Sequence, residues 1–132
     1  MHYDLTVLPN GLRVITEEMP SLRSVAVGCW VDTGTRDELP SEAGASHFLE
    51  HLLFKGSETM TARDIAETFD SIGAESNAFT SKDYTCFWAR LLDQDLPTGL
   101  GVLAEMIQRP AFRQRDIDAE RSVVIEEINM NE

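Results

Sequence analysis

The stretch SVAVGCWVDT, residues 24 to 33, places an apolar side chain at every second position. Val25, Val27, Cys29 and Val31 therefore share one face of an extended strand. Such alternation is typical of a strand that buries one face and leaves the other in water. A chain that contains this strand has to supply a second layer that covers the apolar face.

The order of the strand-type and helix-type segments predicts what that second layer is. The sequence predicts strands at 3–8, 12–18, 24–33, 74–80 and 83–92, with a Pro9-Asn10-Gly11 turn joining the first two. It predicts helices at 42–54, 61–73, 95–108 and from 114 toward the C-terminus. We therefore expect an α+β fold, a two-layer sandwich whose helices pack on one face of a mostly antiparallel sheet, with residues 1–132 forming a single domain.

Charge and composition limit the classes of partner. The formal net charge of -12 opposes binding to nucleic acid and to anionic membrane surfaces, and it is compatible with a basic peptide. No apolar run approaches the roughly 18 residues that predict a membrane span. The N-terminus MHYDLTVLPNGLRVI lacks a basic segment followed by an apolar one. We therefore expect no nucleic-acid or membrane partner and a cytoplasmic location without a leader.

The pentapeptide HFLEH, residues 47 to 51, carries the clearest chemical signal. In a helix, residues i, i+3 and i+4 share a face, so His47, Glu50 and His51 project together. Two imidazoles at this spacing can hold a zinc ion, and a glutamate beside them can take a proton from a bound water. The H-x-x-E-H order is the inverse of the commoner zinc-peptidase motif. On the pentapeptide alone, a helix with two histidines that bind no metal stays an alternative.

The C-terminal segment DAERSVVIEEINMNE offers a third ligand, which a catalytic zinc requires. Glu120 and Glu127 are seven residues apart and share a face of the predicted helix. The apolar residues of this segment predict a substantially buried helix: Val123, Val124 and Ile128. A carboxylate on a buried face needs a partner, and a metal is one such partner. A solvated acidic helix end is the alternative.

Three separated segments resemble signatures of one enzyme family. HFLEHLLFKGSETM, ERSVVIEE and GAESNAFT resemble, in this order, the metal helix, the second metal signature and the substrate-binding strand of the pitrilysin or insulinase family of zinc peptidases. The likeness is greatest to its mitochondrial-processing-peptidase-like branch. LPNGLRV and VAVGCWVDTGTRDE also match, so that the resemblance covers nearly the whole chain.

The resemblance implies a zinc metalloendopeptidase subdomain that cleaves extended peptides. The Zn²⁺ ligands would be His47, His51 and Glu127. The catalytic carboxylates would be Glu50, as general base, and Glu120, as a residue that orients His51 or a neighbouring group. The residues that bind the substrate backbone would be Asn77, Ala78 and Phe79.

The resemblance also leaves two other functions open. Relatives of the same fold include non-catalytic structural subunits, although these typically lose part of the metal motif. A peptide-binding module that needs a partner half is the second alternative, because family members have two related halves that close around the substrate. We therefore expect this N-terminal subdomain to form a homodimer or to pair with a C-terminal half-domain, and to expose Phe48, Phe79 and Trp88.

Overall fold

A computed structural model describes residues 2–131 of the chain and confirms the α+β class. The strands are β1 (Asp4–Val7), β2 (Arg13–Thr16), β3 (Ser24–Val31), β4 (Glu75–Thr80) and β5 (Thr85–Leu92). The helices are α1 (Ala45–Leu53), α2 (Ala62–Ser71), α3 (Leu96–Gln108) and α4 (Gln114–Met130). No helix within this described range is both long and apolar enough to cross a bilayer.

Strands β3, β5 and β4 form an antiparallel sheet in that order, so β5 is central. The helix-facing side chains of β5 are Phe87, Ala89 and Leu91, and each is buried. They pack into one apolar cluster with Leu103 and Met106 of α3, which are fully buried. The alternation along β3 thus indicated correctly that helices cover one face of the sheet.

The N-terminal hairpin differs from the expectation of one sheet. Strands β1 and β2 pair with each other, Asp4 opposite Thr16, and form a separate two-stranded sheet. Every residue of both strands is exposed. The turn itself was predicted correctly: Gly11 has φ +90°, and the Asn10 side chain accepts a hydrogen bond from the Leu12 N–H. A turn signal fixes a hairpin locally, whereas it carries no information about which sheet the hairpin joins.

Two helix predictions need correction. The first helix begins at Ala45 rather than at residue 42, because Gly44 adopts a left-handed conformation at φ +92° and residues Pro40–Glu42 form a separate 3₁₀ turn. The C-terminal helix α4 is less buried than its composition predicts. Val124 is buried, but Val123 and Ile128 are each about two-fifths exposed, because α4 packs with only one of its faces.

Candidate metal centre

Helix α1 and helix α4 bring three predicted metal ligands together. His47 Nε2 lies 3.0 Å from His51 Nε2 and 3.1 Å from Glu127 Oε2. His51 Nε2 lies 3.3 Å from the same carboxylate oxygen. One atom from each of these three side chains therefore lies close to the other two, although Glu127 is distant in sequence from both histidines.

This donor set fits a zinc ion. Zinc bonds of about 2.0–2.2 Å in a tetrahedron separate neighbouring ligand atoms by about 3.3–3.6 Å, a few tenths of an ångström more than the separations seen here. Two imidazole nitrogens and one carboxylate oxygen are also a ligand set that catalytic zinc sites use. All three side chains are half-buried, with His51 at 20% and Glu127 at 41% exposure, so one side of the group is open to water.

Glu120 contacts His51 through the imidazole nitrogen that does not belong to the group of three. Its Oε2 lies 3.1 Å from His51 Nδ1, and its Oε1 lies 2.9 Å from the Lys55 ammonium. Burial alone would raise the pKa of Glu120, but the hydrogen bonds from Lys55 and His51 outweigh it and lower that pKa overall. Glu120 therefore stays ionised at neutral pH. An ionised Glu120 favours the His51 tautomer with a proton on Nδ1, which leaves Nε2 free to bind a metal.

Glu50 is kept apart from the three ligands. It shares helix α1 with both histidines, but its carboxylate is not among the atoms that converge on a common point. Instead, its Oε2 accepts a hydrogen bond from the hydroxyl of Thr80, the last residue of β4. A half-buried carboxylate that is near the ligands but outside their group is suited to proton transfer rather than to metal binding.

The start of helix α1 is held by a side chain from the preceding loop. Glu38 accepts hydrogen bonds from the Gly44 N–H at 3.0 Å and the Ser46 N–H at 2.7 Å. The Ser46 hydrogen bond is the main reason that the pKa of Glu38 lies below its usual range. The carboxylate thus satisfies backbone N–H groups that a helix leaves free at its N-terminus, and it interacts favourably with the helix dipole.

The loop that carries Glu38 is itself fixed by close backbone contact. Thr35 and Arg36 donate backbone hydrogen bonds to the carbonyl groups of Ser81 and Lys82, in the turn between β4 and β5. A Cβ added at Gly34 would lie 2.5 Å from backbone atoms of that turn. Only glycine allows this approach. The turn therefore positions both the cap of α1 and the end of β4.

Strand β4 is an edge of its sheet and lies beside α1. Asn77 and Phe79 point away from the helices and are exposed, whereas Ala78 faces the helix layer and is half-buried. The Ala78 N–H is bound by the Asn77 side chain at 2.8 Å rather than by β5. The three residues predicted to bind substrate thus share one accessible strand, although their side chains do not share one face.

A groove runs between α2 and the first half of β4. Its volume is about 530 Å³, and its lining includes Phe54, Ile65 and Phe69 together with Ser76 and Asn77. The metal ligands do not line this groove, but Phe54 closes the C-terminal end of the helix that carries both histidines. The groove therefore lies beside the C-terminal end of α1 and apart from the three predicted ligands.

Known proteins share sequence and fold with this chain. The model of the insulinase family, peptidase family M16, matches residues 13–132. The chain belongs to this family. A zinc protease of Streptomyces coelicolor is 49% identical to this M16 chain over 127 residues, which are 96% of the chain and 28% of that protein. The "probable mitochondrial-processing peptidase subunit beta" of Arabidopsis thaliana is 41% identical over 124 residues, which are 94% and 23%.

A solved structure shows the same fold. The crystal structure of a protease from Helicobacter pylori matches with a TM-score of 0.91 at 28% identity, over 96% of the M16 chain and 30% of the other. The chain thus spans less than a third of the length of the relatives that it matches. The predicted resemblance to inverted-motif zinc peptidases is confirmed at the level of the family.

Three residues of this region were not found from the sequence: Glu38, Lys55 and Thr80. Lys55 follows His51 by four residues, so its position one helical turn further along was a signal that could have been used. Thr80 lies at the end of the GAESNAFT segment, but nothing local indicates its contact with Glu50. Glu38 caps a helix that begins seven residues later, which no local capping pattern predicts.

Proposed function

We propose that this chain carries the catalytic site of a zinc metalloendopeptidase that hydrolyses extended peptides. The observation that supports the proposal is the convergence of His47, His51 and Glu127 beside a separate carboxylate, Glu50. Family membership and relatives named zinc proteases support a peptidase. A zinc ion held by the three ligands would polarise the scissile carbonyl and make a bound water more acidic.

Glu50 would perform the proton transfers of the reaction. It accepts a proton as the water oxygen forms a bond to the carbonyl carbon, and it returns that proton to the nitrogen as the carbon–nitrogen bond breaks. The products are a carboxylic acid and an amine, and Glu50 is ionised again at the end. Glu120 takes no part in the proton transfers, but it holds His51 through Nδ1.

The edge of β4 would hold the substrate. In an antiparallel pair, residues alternate between those that bond the partner strand and those whose backbone groups point away from it. The Ser81 N–H donates to the Tyr84 carbonyl oxygen across the turn. The backbone N–H and C=O groups of Ser76, Ala78 and Thr80 therefore point toward the free edge. An extended peptide could add there as a further strand once the Asn77 side chain leaves the Ala78 N–H. The acidic chain favours a basic peptide.

Glu50→Gln tests the proposal directly. The variant should keep its zinc and lose cleavage of an internally quenched library of basic peptides by about 10²–10⁴-fold, the usual contribution of a general base. Glu126→Gln is the matched control, because Glu126 is an exposed neighbour of Glu127 and contacts no ligand atom. Cleavage by Glu50→Gln at the control level would remove Glu50 from the role of general base. No cleavage by the zinc-loaded wild type or by the control would remove the peptidase proposal and favour a structural or peptide-binding subunit.

We also propose that full activity requires a second half, supplied by a partner copy or by a C-terminal half-domain. The metal ligands are open on one side, and holding a substrate in line can contribute about 7–11 kcal/mol to catalysis. The isolated chain is therefore expected to cleave the same library far more slowly than the chain mixed with the C-terminal half of a relative. Equal rates in the two samples would contradict this requirement.

A further inference from the structure

The hydrogen bond between Thr80 and Glu50 joins the two elements that the proposed reaction needs. Thr80 ends β4, and its half-buried side chain faces the helix layer. Its hydroxyl donates to Glu50 Oε2 on α1. A hydroxyl that donates to a carboxylate makes a charge-assisted hydrogen bond, which is stronger and more directional than one between neutral groups.

Without this contact, the Glu50 side chain would be free to rotate about several bonds. A glutamate side chain that no neighbour holds occupies many rotamers, and fixing one of them costs conformational entropy. The Thr80 hydroxyl holds one carboxylate oxygen, and within residues 2–131 the other oxygen, Oε1, accepts no hydrogen bond. The bound oxygen sets the orientation of the carboxylate, and the second oxygen is left to take a proton.

Thr80 has a second property that follows from its register. Its backbone N–H and C=O point toward the free edge of β4, because Ser81 and Phe79 are the residues that bond β5. The backbone of Thr80 thus lies on the edge proposed to pair with a peptide, while its side chain holds Glu50. One residue therefore relates the position of a bound peptide to the position of the base.

We propose that Thr80 is a positioning residue for the reaction, which orients Glu50 and aligns it with a peptide on β4. The inference rests on the proposed peptidase function. It is distinct from the ligand set, because among the described residues the Thr80 hydroxyl bonds to Glu50 and to none of the three proposed ligands.

The kinetic test uses the zinc-loaded chain, with the companion half if turnover requires it, on the best-cleaved member of the basic peptide library. Thr80→Val keeps the branched shape and removes the hydroxyl. We expect kcat to fall about tenfold or more while KM stays within about twofold and zinc content is unchanged. Thr80→Ser, which keeps a hydroxyl, should restore kcat to within about threefold of the wild-type value.

The matched control is Thr85→Val. Thr85 lies directly opposite Thr80 on β5, and its hydroxyl donates to the Thr33 carbonyl oxygen at 2.9 Å instead of to Glu50. This variant should keep kcat even where its melting temperature falls. A wild-type kcat in Thr80→Val, or the same loss in Thr80→Ser and Thr80→Val, would overturn the positioning role. Thr80→Ala replaces Thr80→Val if the latter does not fold.

A crystal structure of metal-free Thr80→Val gives a readout that does not depend on turnover. The Glu50 carboxylate should occupy more than one rotamer in the variant, and a single unchanged rotamer would overturn the inference. The two proposals fail separately. The absence of cleavage by the zinc-loaded wild type removes the peptidase function, whereas an ordered Glu50 in Thr80→Val removes only the role of Thr80.

Discussion

Lys55 and Glu120 show how a single buried charge can control a candidate metal ligand, His51. Glu120 is 6% exposed and would be unfavourable there without its two partners. Lys55 neutralises one carboxylate oxygen at 2.9 Å, and the other oxygen holds His51 at 3.1 Å. The lysine is thus linked to the candidate metal site through Glu120 rather than by a direct ion pair with one of the three proposed ligands.

Lys55→Met should weaken zinc binding by less than the roughly 10–100-fold that loss of a ligand's own hydrogen-bond partner usually causes, because Lys55 pairs with Glu120 rather than with a ligand. The methionine keeps much of the apolar stem, while Glu120 loses its charge partner. Competition with a chromophoric zinc chelator measures the affinity. Lys82→Met, in the exposed turn between β4 and β5, is the control and should bind zinc like the wild type. Equal affinities in the two variants would show that Lys55 does not support the site.

The ligand assignment itself is tested by His51→Ala. The purified wild-type chain is expected to hold one zinc ion by elemental analysis, and the variant should lose most of it because two ligands rarely retain zinc in a site open to water. Glu126→Gln again serves as control, since it changes a neighbouring acidic side chain and leaves all three donors in place. Full zinc content in His51→Ala would refute the assignment.

At the level of elements, Glu38 determines how firmly helix α1 begins. Glu38→Gln removes the charge and keeps the size, so that the variant should unfold at a lower temperature. Loss of such a cap costs about 1 kcal/mol, or roughly 4 °C in a domain of this length. Glu58→Gln, an exposed glutamate in the loop after α1, is the control and should melt like the wild type.

The effect of Glu38 depends on pH in a defined direction. The pKa of Glu38 is lower in the folded chain than in the unfolded one, so its stabilising effect is present at neutral pH. That effect is lost progressively as the pH falls below about 4.3, the ordinary pKa of glutamate, and through the folded-state value. The melting temperatures of the wild type and of Glu38→Gln should therefore differ at pH 7, and the difference should shrink as the pH falls below about 4.3. A constant difference would contradict the assignment.

The elements that the sequence predicted are those whose signals are local. The strand at Ser24–Val31 and the helix at Leu96–Gln108 follow from apolar periodicity, and both lie where the pattern predicts them. The predicted start of α1 was wrong because Gly44 adopts a left-handed conformation just before Ala45. This conformation prevents the helix from starting earlier, but it leaves no mark on the apolar pattern of the sequence. The burial of α4 was overestimated because composition does not show which face packs.

The same distinction applies to the candidate site. His47 and His51 could be predicted as a pair because they are one helical turn apart. Glu127 was a candidate with Glu120 from their spacing on the C-terminal helix, and the resemblance to a known family selected it as the ligand. The contacts of Glu50 with Thr80 and of Lys55 with Glu120 join segments that are distant in sequence. Such contacts follow from the packing of α1 against β4 and α4, and no pattern within one segment contains them.

Considered as a whole molecule, the chain leaves one face of its main sheet uncovered within residues 2–131. Trp30, Phe79 and Tyr84 form a cluster on that face, with ring centroids 5.1 to 5.9 Å apart and Trp30 64% exposed. Phe79 was predicted to be exposed, and it is, whereas Phe48 and Trp88 are half-buried. An aromatic surface of this kind favours association with another apolar surface.

We expect the isolated chain to self-associate through this aromatic cluster. Trp30→Ser should shift the distribution toward monomer in sedimentation velocity, because it removes the most exposed ring of the three. Tyr3→Ser is the control, since Tyr3 is 60% exposed but lies before the N-terminal hairpin. A purely monomeric wild type, or the same shift in both variants, would exclude this surface as the contact.

The division of the ligands between two helices has a thermodynamic consequence. Two donors belong to α1 and the third to α4, so a bound ion would act as a cross-link between segments that the unfolded chain does not hold together. The melting temperature should then report on free zinc: about 2.7 kcal/mol of added stability is expected at a free concentration of one hundred times Kd. Chelation would reverse this gain and loosen α4 first, since few of its side chains are buried.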